Sequence, residues 1–302
     1  MTAHPDQTIS YPGDESTMSE QPRDEMRDYT GRGLLEGKVA IVTGTSPNIG
    51  GTLAMGMAAE GARIVCTDLS AEVCGDCAEK IVAAGSDAVA VPGDVTESGH
   101  ADEAVESALS RWGRVDVLVN NAVFFDQRGI ESMDYDAYLR QLQVILGGAF
   151  LFTRAAARAM VSSGRGGSIV NVLSTAAFQG QPGNIGYATG KSGLLNFTRS
   201  AAMEYAAHGI RVNGFTPTAT APTDPAAIAQ MNDLIDRPQE YRMNFAAQLP
   251  MSRLPSPADY VGAVVFLTSD DAAMITGTNI TVDGGATAKY WPWQPHGTAG
   301  DL

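Results

Sequence analysis

Short apolar segments of the strand type alternate with segments of helical spacing over most of this chain. Runs rich in Val, Ile and Ala lie at 39–43, 62–67, 88–91, 115–119, 167–173, 211–215 and 279–283. Helical patterns lie between them, the longest at 136–160 and 187–208, with another at 224–235. Because crossover connections between parallel strands are right-handed, this alternation predicts a doubly wound α/β fold. We expect one domain with a seven-stranded parallel sheet and helices on both faces.

Two terminal segments differ from this core, which extends over residues 37–285 without a dividing linker. Residues 1–36 are rich in Asp, Glu, Pro, Gly and Ser and predict a flexible acidic arm. The arm is either a mobile leader or a segment that docks on a partner subunit. Residues 286–302 include Trp291 and Trp293, and such aromatic anchors favour a subunit interface.

The composition excludes several classes of partner. The chain has 302 residues and a formal net charge of −14, whereas nucleic acid and anionic membranes are bound by basic patches. No apolar run reaches the roughly 18 residues that cross a bilayer, and the N-terminus lacks a secretory layout. Three cysteines do not make a disulfide framework, so we expect a cytoplasmic protein. Cys74 and Cys77 have redox or zinc spacing but no second ligand pair, so no metal is expected.

One segment carries side chains suited to proton transfer. Tyr187 and Lys191 are four residues apart, which places them on one face of a helix, and Ser174 precedes them across a loop rich in Gly. A free phenol has a pKa near ~10, and a neighbouring ammonium lowers that pKa. A serine hydroxyl could hold the oxygen of a substrate while the tyrosine exchanges a proton with it.

The turn after the first strand has the properties of a dinucleotide-binding loop. Gly44 and Gly50 permit a tight turn, and the N-terminus of the following helix favours phosphate. Asp68 ends the second strand, where a carboxylate binds the ribose diol and repels a 2′-phosphate. No Arg or Lys occurs at 45–49 or at position 69, so NAD is favoured over NADP.

With these features the chain resembles the short-chain dehydrogenase/reductase family over residues 35–285. The motifs are Thr-Gly-x-x-x-Gly-x-Gly from Thr43, Asn-Asn-Ala-Gly from Asn120, and Ser174, Tyr187 and Lys191 in the order of the family's catalytic set. The resemblance implies a Rossmann fold in which Ser174 orients the substrate oxygen and Tyr187 is the general acid/base. It implies that Lys191 binds the nicotinamide ribose and lowers the pKa of the tyrosine. The residues that it assigns to NAD are Gly44, Ser46, Asn48, Ile49, Gly50, Asp68, Leu69, Asp94, Val95, Asn121, Ala122, Tyr187, Lys191, Pro217 and Thr220.

The chain departs from the family pattern at several positions. Asn48 replaces a glycine of the turn, and because asparagine tolerates a left-handed backbone best among non-glycine residues, we expect the turn to form. Ile145 stands where the family has the asparagine of its proton relay. Either another group carries the relay or water reaches Lys191 through backbone contacts alone. Thr220 and Thr223 are candidates for contact with the carboxamide, because Pro222 occupies the usual position.

Substrate selection is expected in the loops at the carboxyl ends of the strands. The predicted substrate residues are Phe124, Phe178, Gln179 and Met231. This largely apolar set predicts a hydrophobic or alicyclic secondary alcohol or ketone, such as a steroid-like or terpenoid-like one. The other interpretation is that several of these side chains belong to the core.

The preferred interpretation of the whole chain is an NAD-dependent short-chain alcohol dehydrogenase or ketoreductase with a small-molecule substrate. The competing one is a non-catalytic dinucleotide-binding or sensor protein on the same fold, which Asn48 and Ile145 motivate. The resemblance also implies a homotetramer or homodimer formed through the two long helices.

Overall fold

Seven short strands form one parallel sheet in the computed structural model, which describes residues 26, 29–221 and 249–289. The strands are β1 (Val39–Thr43), β2 (Arg63–Thr67), β3 (Ala88–Ala90), β4 (Val117–Asn120), β5 (Gly167–Val172), β6 (Ile210–Pro217) and β7 (Asn279–Val282). Their order in the sheet is β3-β2-β1-β4-β5-β6-β7, and each neighbouring pair is parallel. The predicted doubly wound Rossmann fold is therefore confirmed.

Helices connect the strands and cover the sheet. They are α1 (Ile49–Ala59), α2 (Ala71–Ala83), α3 (Ser98–Trp112), α4 (Tyr135–Leu142), α5 (Ala149–Ser163), α6 (Ile185–Tyr205) and α7 (Ala258–Thr268). Glycine ends two of them, because Gly113 after α3 and Gly164 after α5 adopt the left-handed conformation. The predicted helix at 224–235, most of the N-terminal arm and the tail from residue 290 lie outside the described residues.

The side chains of β1 alternate between two apolar layers. Ala40 and Val42 pack in a cluster with side chains of α1, α2 and α7, whereas Val39 and Ile41 pack in a cluster with side chains of α3, α5 and α6. All five residues of β1 are buried. A sheet covered on both faces explains why this inner strand is buried along its whole length and apolar from Val39 to Val42.

The long predicted helix at 136–160 has a centre that is not α-helical. Between α4 and α5, residues Gln143–Gly148 form a π-helix, a wide turn that is frequent at functional sites. By length and composition the helix from Tyr135 to Ser163 could cross a membrane. It packs against α3 and β4, however, and Phe152 and Met160 are fully buried. It is a core helix of the domain.

The winding of the sheet reverses between β1 and β4. β1 pairs with β2 on one side and with β4 on the other. In doubly wound sheets, the carboxyl ends of the strands at this reversal border a crevice that binds ligands. The turn after β1 and the loop after β4 are therefore the walls in which a site is expected.

Candidate active site

In the turn between β1 and α1, backbone atoms come so close to two glycines that no other residue would fit. A Cβ on Gly44 would lie 2.8 Å from the Cα of Ala122, and one on Gly50 would lie 1.8 Å from the carbonyl oxygen of Gly44. Asn48, the N-cap of α1, has φ 95° and ψ −140°. The turn forms, but this ψ lies outside the left-handed helical region expected for asparagine and in one that is almost confined to glycine. Asn48 therefore has a strained backbone.

Asn121 ties this turn to the loop after β4. Its Nδ2 donates to the carbonyl oxygens of Gly44 at 2.7 Å and Thr43 at 3.1 Å. The hydroxyl oxygen of Thr43 accepts from the backbone amides of Asn121 and Ala122 at 3.0 and 3.1 Å. These bonds fix the spacing of the two loops that border the crevice.

The crevice holds a cavity of about 290 Å³. The residues predicted for the cofactor that line it are Gly44, Ser46, Asp68, Leu69, Asp94, Val95, Asn121 and Ala122. Residues not predicted for the cofactor also line it, namely Gly93, Val123, Phe124, Arg140 and Val144. Phe124, which the sequence suggests for the substrate, thus borders this crevice. The glycine-lined cradle and the carboxylate of Asp68 fit a nicotinamide dinucleotide.

Asp68 lies at the end of β2, beside the glycine turn. Its Oδ1 accepts from the backbone amide of Ser70 at 3.2 Å. Burial raises the pKa of Asp68, and backbone hydrogen bonds from Ser70 and Ser46 partly oppose that effect. Among the described residues that line the cavity, Arg140 is the one cation.

Arg140 is engaged by Asp94. Its Nη2 lies 2.5 Å from Asp94 Oδ2, and its Nη1 donates to the Thr96 hydroxyl at 2.9 Å. Asp94 Oδ1 accepts from the amide and the hydroxyl of Thr96 at 2.9 and 2.8 Å. Burial raises the pKa of Asp94, but the bonds from Thr96 and Arg140 outweigh burial and hold the pKa below its ordinary value. This network joins α4 to the loop after β3.

Ser174, Tyr187 and Lys191 lie where β5 ends against α6. Lys191 Nζ donates to the carbonyl oxygen of Val172 at 2.5 Å and lies 5.6 Å from the centroid of the Tyr187 ring. Ser174 follows two residues after Val172, and its Oγ accepts from the amide of Ala176 at 3.2 Å. Lys191 thereby links the end of the strand that leads to Ser174 with the helix that carries Tyr187.

The ammonium group of Lys191 is removed from water, with 3% of the residue exposed. Burial lowers the pKa of Lys191 from 10.5 to about 7. The group can therefore gain or lose a proton near neutral pH, and a nearby anion favours its charged form.

Ile145 lies in the π-helix beside Lys191. It is 2% exposed, and a Cβ on Gly190 would lie 3.2 Å from the Cβ of Ile145. A cavity of about 10 Å³, close to the size of one water site, is lined by Ile145, Lys191, Thr43 and Asn120 among others. Because Ile145 offers no hydrogen bond, the polar side chains of this cavity are those of Thr43, Asn120 and Lys191.

The other predicted residues are distributed unevenly around this centre. Phe178 is 48% exposed and Gln179 is also exposed, whereas Met231, Pro222 and Thr223 lie outside the described residues. Pro217 ends β6. The Thr220 hydroxyl donates to the carbonyl oxygen of Thr218 at 2.9 Å and lies 2.8 Å from the Tyr260 hydroxyl. Thr220 is thus held against α7.

Phe125 has a contact that the sequence does not indicate. Its ring packs edge-on against Tyr187, with centroids 4.7 Å apart and planes at 89°. Phe125 follows β4 and Tyr187 begins α6, so only the fold brings the two rings together. Phe125 is the described aromatic side chain in direct ring contact with the proposed acid/base.

The cysteines pack between β2 and α2. Cys66, Cys74 and Cys77 are buried free thiols, and the sulfurs of Cys66 and Cys77 are 3.8 Å apart. Within residues 29–221 and 249–289, no group of three or more His, Cys, Asp and Glu has the arrangement of a metal site.

Several known proteins are similar to this chain in sequence. A family model described as Enoyl-(Acyl carrier protein) reductase matches residues 44–287. An L-rhamnose 1-dehydrogenase (NAD(P)(+)) of Sphingomonas sp. (strain SKA58) is 38% identical over 253 residues, which are 83% of this chain and 97% of the relative. A cis-4-hydroxycyclohexanecarboxylate dehydrogenase of Sinomonas cyclohexanicum is 36% identical over 252 residues, 83% of this chain and 97% of the relative.

A solved structure agrees with the sequence comparison. The gluconate 5-dehydrogenase from Burkholderia cenocepacia J2315, in complex with NADP and tartrate, has a TM-score of 0.76 at 29% identity. The match covers 85% of this chain and 98% of that chain. The chain belongs to the short-chain dehydrogenase/reductase family. It is an NAD(P)-dependent oxidoreductase that acts on a small-molecule alcohol.

Proposed function

We propose that this enzyme transfers hydride between NAD and a cyclic secondary alcohol or the corresponding ketone. The observation that carries the proposal is the position of the buried Lys191. Its ammonium group binds the carbonyl oxygen of Val172, two residues before Ser174, and lies over the ring of Tyr187. The small cavity at Lys191 and the larger crevice share Val95, Ala122 and Val144 in their walls. The cavity at Lys191 therefore adjoins the crevice that we propose for the dinucleotide.

The chain's own residues divide the proton chemistry between them. In the oxidation, the Ser174 hydroxyl holds the substrate oxygen and Tyr187 Oη takes the hydroxyl proton as hydride leaves the carbinol carbon. NAD, when bound, supplies the hydride acceptor. The Lys191 ammonium favours the phenolate form of Tyr187 and binds the nicotinamide ribose. In the reduction, Tyr187 returns the proton to the carbonyl oxygen.

We propose that the proton leaves through the small cavity beside Lys191. The family's relay asparagine is replaced by Ile145, and the Thr43 hydroxyl already accepts from the amides of Asn121 and Ala122. Asn120, whose Nδ2 is bonded to Thr153 and Asn171, offers its Oδ1 to hold a water next to Lys191 Nζ. Such a water would connect Lys191 with its surroundings without a side chain at position 145.

Asp68 supports NAD as the cofactor. Its carboxylate borders the cavity, where it would accept hydrogen bonds from a ribose diol and repel a 2′-phosphate. Arg140, the cation described in the same wall, is already paired with Asp94 and lacks a free charge to offer a 2′-phosphate.

The apolar loop after β4 supports a substrate with an apolar ring. Phe125 lies edge-on to Tyr187, so it would border the reacting carbon. A relative named for cis-4-hydroxycyclohexanecarboxylate is similar to this chain over 83% of its length. Phe178, Gln179 and Met231 would complete the substrate site.

A polyhydroxylated ring is the second candidate substrate. A relative named for L-rhamnose is consistent with this alternative.

We also propose a cytoplasmic homotetramer or homodimer that associates through α5 and α6. Phe150 on α5 is 50% exposed and Met203 on α6 is 67% exposed, which supports an apolar interface there. In this assembly residues 37–285 are the catalytic domain, residues 1–36 are an arm, and residues 286–302 are a tail at a subunit interface.

An absorbance assay of NADH formation tests the substrate and the cofactor together. Cyclohexanol, cis-4-hydroxycyclohexanecarboxylate and L-rhamnose would each be offered with NAD and with NADP. We expect turnover with NAD, highest for the alicyclic alcohols; preference for L-rhamnose would favour the second candidate. Tight NADH binding without turnover of any member would contradict both proposed substrate classes.

A further inference from the structure

Gln141 is a polar side chain in a fully buried position near the end of α4. Its Oε1 accepts from the backbone amide of Asp126 at 3.3 Å, and its Nε2 donates to the Met133 sulfur at 3.5 Å. A thioether is a weak acceptor, so the amide gains little in return for its desolvation. The position is therefore poorly explained by stability alone.

The amide of Gln141 lies against the residue that precedes Tyr187. A Cβ on Gly186 would be 2.2 Å from Gln141 Nε2 and 2.9 Å from its Cδ. Gly186 is buried in the first turn of α6. Gln141 thus packs directly on the backbone that carries Tyr187.

The bond to Asp126 also fixes the neighbouring Phe125. The Phe125 ring is the one that packs edge-on against Tyr187. The side chain of Asp126 is held separately by Arg128, whose Nη2 lies 2.6 Å from Asp126 Oδ2 and whose Nη1 lies 3.0 Å from Asp134 Oδ2. Arg128 therefore joins the loop to the start of α4, whereas Gln141 joins it to the end of α4 and to α6.

We propose that Gln141 is a positioning residue for Tyr187. It holds the Phe125 ring against one side of the phenol and supports the Gly186 backbone behind it, so the Tyr187 ring keeps its orientation beside Lys191. The role in turnover rests on the proposed function, in which Tyr187 exchanges the proton.

Fluorine NMR on the full chain, labelled with 3-fluorotyrosine and saturated with NADH, tests this role without requiring turnover. The Tyr187 resonance is identified by its absence from Tyr187→Phe. In Gln141→Met, which keeps the side-chain length but removes both hydrogen bonds, we expect this resonance to move and broaden and its titration midpoint to change. Gln143→Met, at the exposed first residue of the π-helix, is the matched control and should leave the resonance unchanged.

Kinetics give the second readout, with cyclohexanol as the probe alcohol. We expect kcat to fall roughly tenfold in Gln141→Met with the KM for NAD unchanged, because a small misplacement of a reacting group costs rate. In Gln141→Asn the side chain is too short to reach Asp126, so we expect the same loss of kcat as in Gln141→Met. This variant replaces Gln141→Met if that protein fails to fold. A folded variant with an unchanged Tyr187 resonance and titration would overturn the proposal. Since NMR does not depend on the alcohol, that failure is distinguishable from failure of the proposed activity.

Discussion

Two residues at the site carry a conformational or an electrostatic cost, and a third lacks the polar side chain of the family's relay. Asn48 holds a φ of 95° in the glycine turn, Lys191 is buried with an ammonium group, and Ile145 fills a place beside it without a polar atom. Strain and burial of this kind cluster at functional sites because the surrounding structure holds them in place. For each of the three residues we predict the effect of a substitution on stability or turnover.

Asn48→Gly is predicted to stabilise the protein. The backbone conformation of Asn48 costs about 1–3 kcal/mol, while a new glycine loses about 0.5–1 kcal/mol through the entropy of the unfolded chain. We expect a net gain of about 1 kcal/mol in the free energy of unfolding, measured by urea denaturation. Asn48→Ala is the control and should be less stable than Asn48→Gly; the reverse order would contradict the strain at this position.

Lys191→Met is predicted to change how stability depends on pH. The unfolded chain holds the Lys191 proton up to about pH 10.5, whereas the folded protein releases it near pH 7. Between these values the unfolded state binds more protons, so the free energy of unfolding of the wild type rises with pH relative to that of the variant. The slope should approach about 1.4 kcal/mol per pH unit. If the free energies of unfolding of the two proteins changed in parallel between these pH values, the pKa of Lys191 would not be lowered in the folded protein.

At the scale of elements, the helix from Tyr135 to Ser163 serves three parts of the site. Arg140 pairs with Asp94 at the crevice, Gln141 holds the loop that carries Phe125, and Ile145 borders Lys191. These residues lie within one and a half turns, where α4 passes into the π-helix. Because an α-helix turns once in 3.6 residues, the adjacent Arg140 and Gln141 point toward different walls of the site.

Ile145→Asn is predicted to lower stability and raise turnover. Replacing a buried isoleucine by a polar side chain costs about 2–4 kcal/mol, which a lower midpoint of thermal unfolding would show. The new amide borders the cavity beside Lys191, so we expect kcat to rise roughly tenfold through a restored relay. Ile145→Leu, an apolar control, should leave turnover unaltered. Equal turnover in Ile145→Asn and wild type would contradict the expected gain and would mean that the water beside Lys191 suffices for the relay.

At the scale of the whole molecule, local patterns in the sequence predict the sheet and the order of its motifs. The crevice at the end of β1 could be predicted from local information, namely a buried apolar strand followed by the glycine turn of Gly44 and Gly50. Contacts between residues that are far apart in the chain cannot be predicted from a local sequence pattern. Arg140 meets Asp94 across 46 residues, and Phe125 meets Tyr187 only because β4 lies beside β5. The π-helix could not be predicted from the sequence either, because its residues continue the helical pattern of the segments on both sides.

The central claim is that Tyr187 exchanges the substrate proton beside NAD bound in the crevice. Single-turnover formation of NADH from cyclohexanol, compared among wild type, Tyr187→Phe and Tyr135→Phe, tests it most directly. Tyr135 is 72% exposed and serves as the matched control. We predict that Tyr187→Phe loses about 100- to 10,000-fold in rate while its affinity for NADH, measured by fluorescence titration, stays within about twofold of wild type. A Tyr187→Phe protein with the rate of Tyr135→Phe would contradict the account.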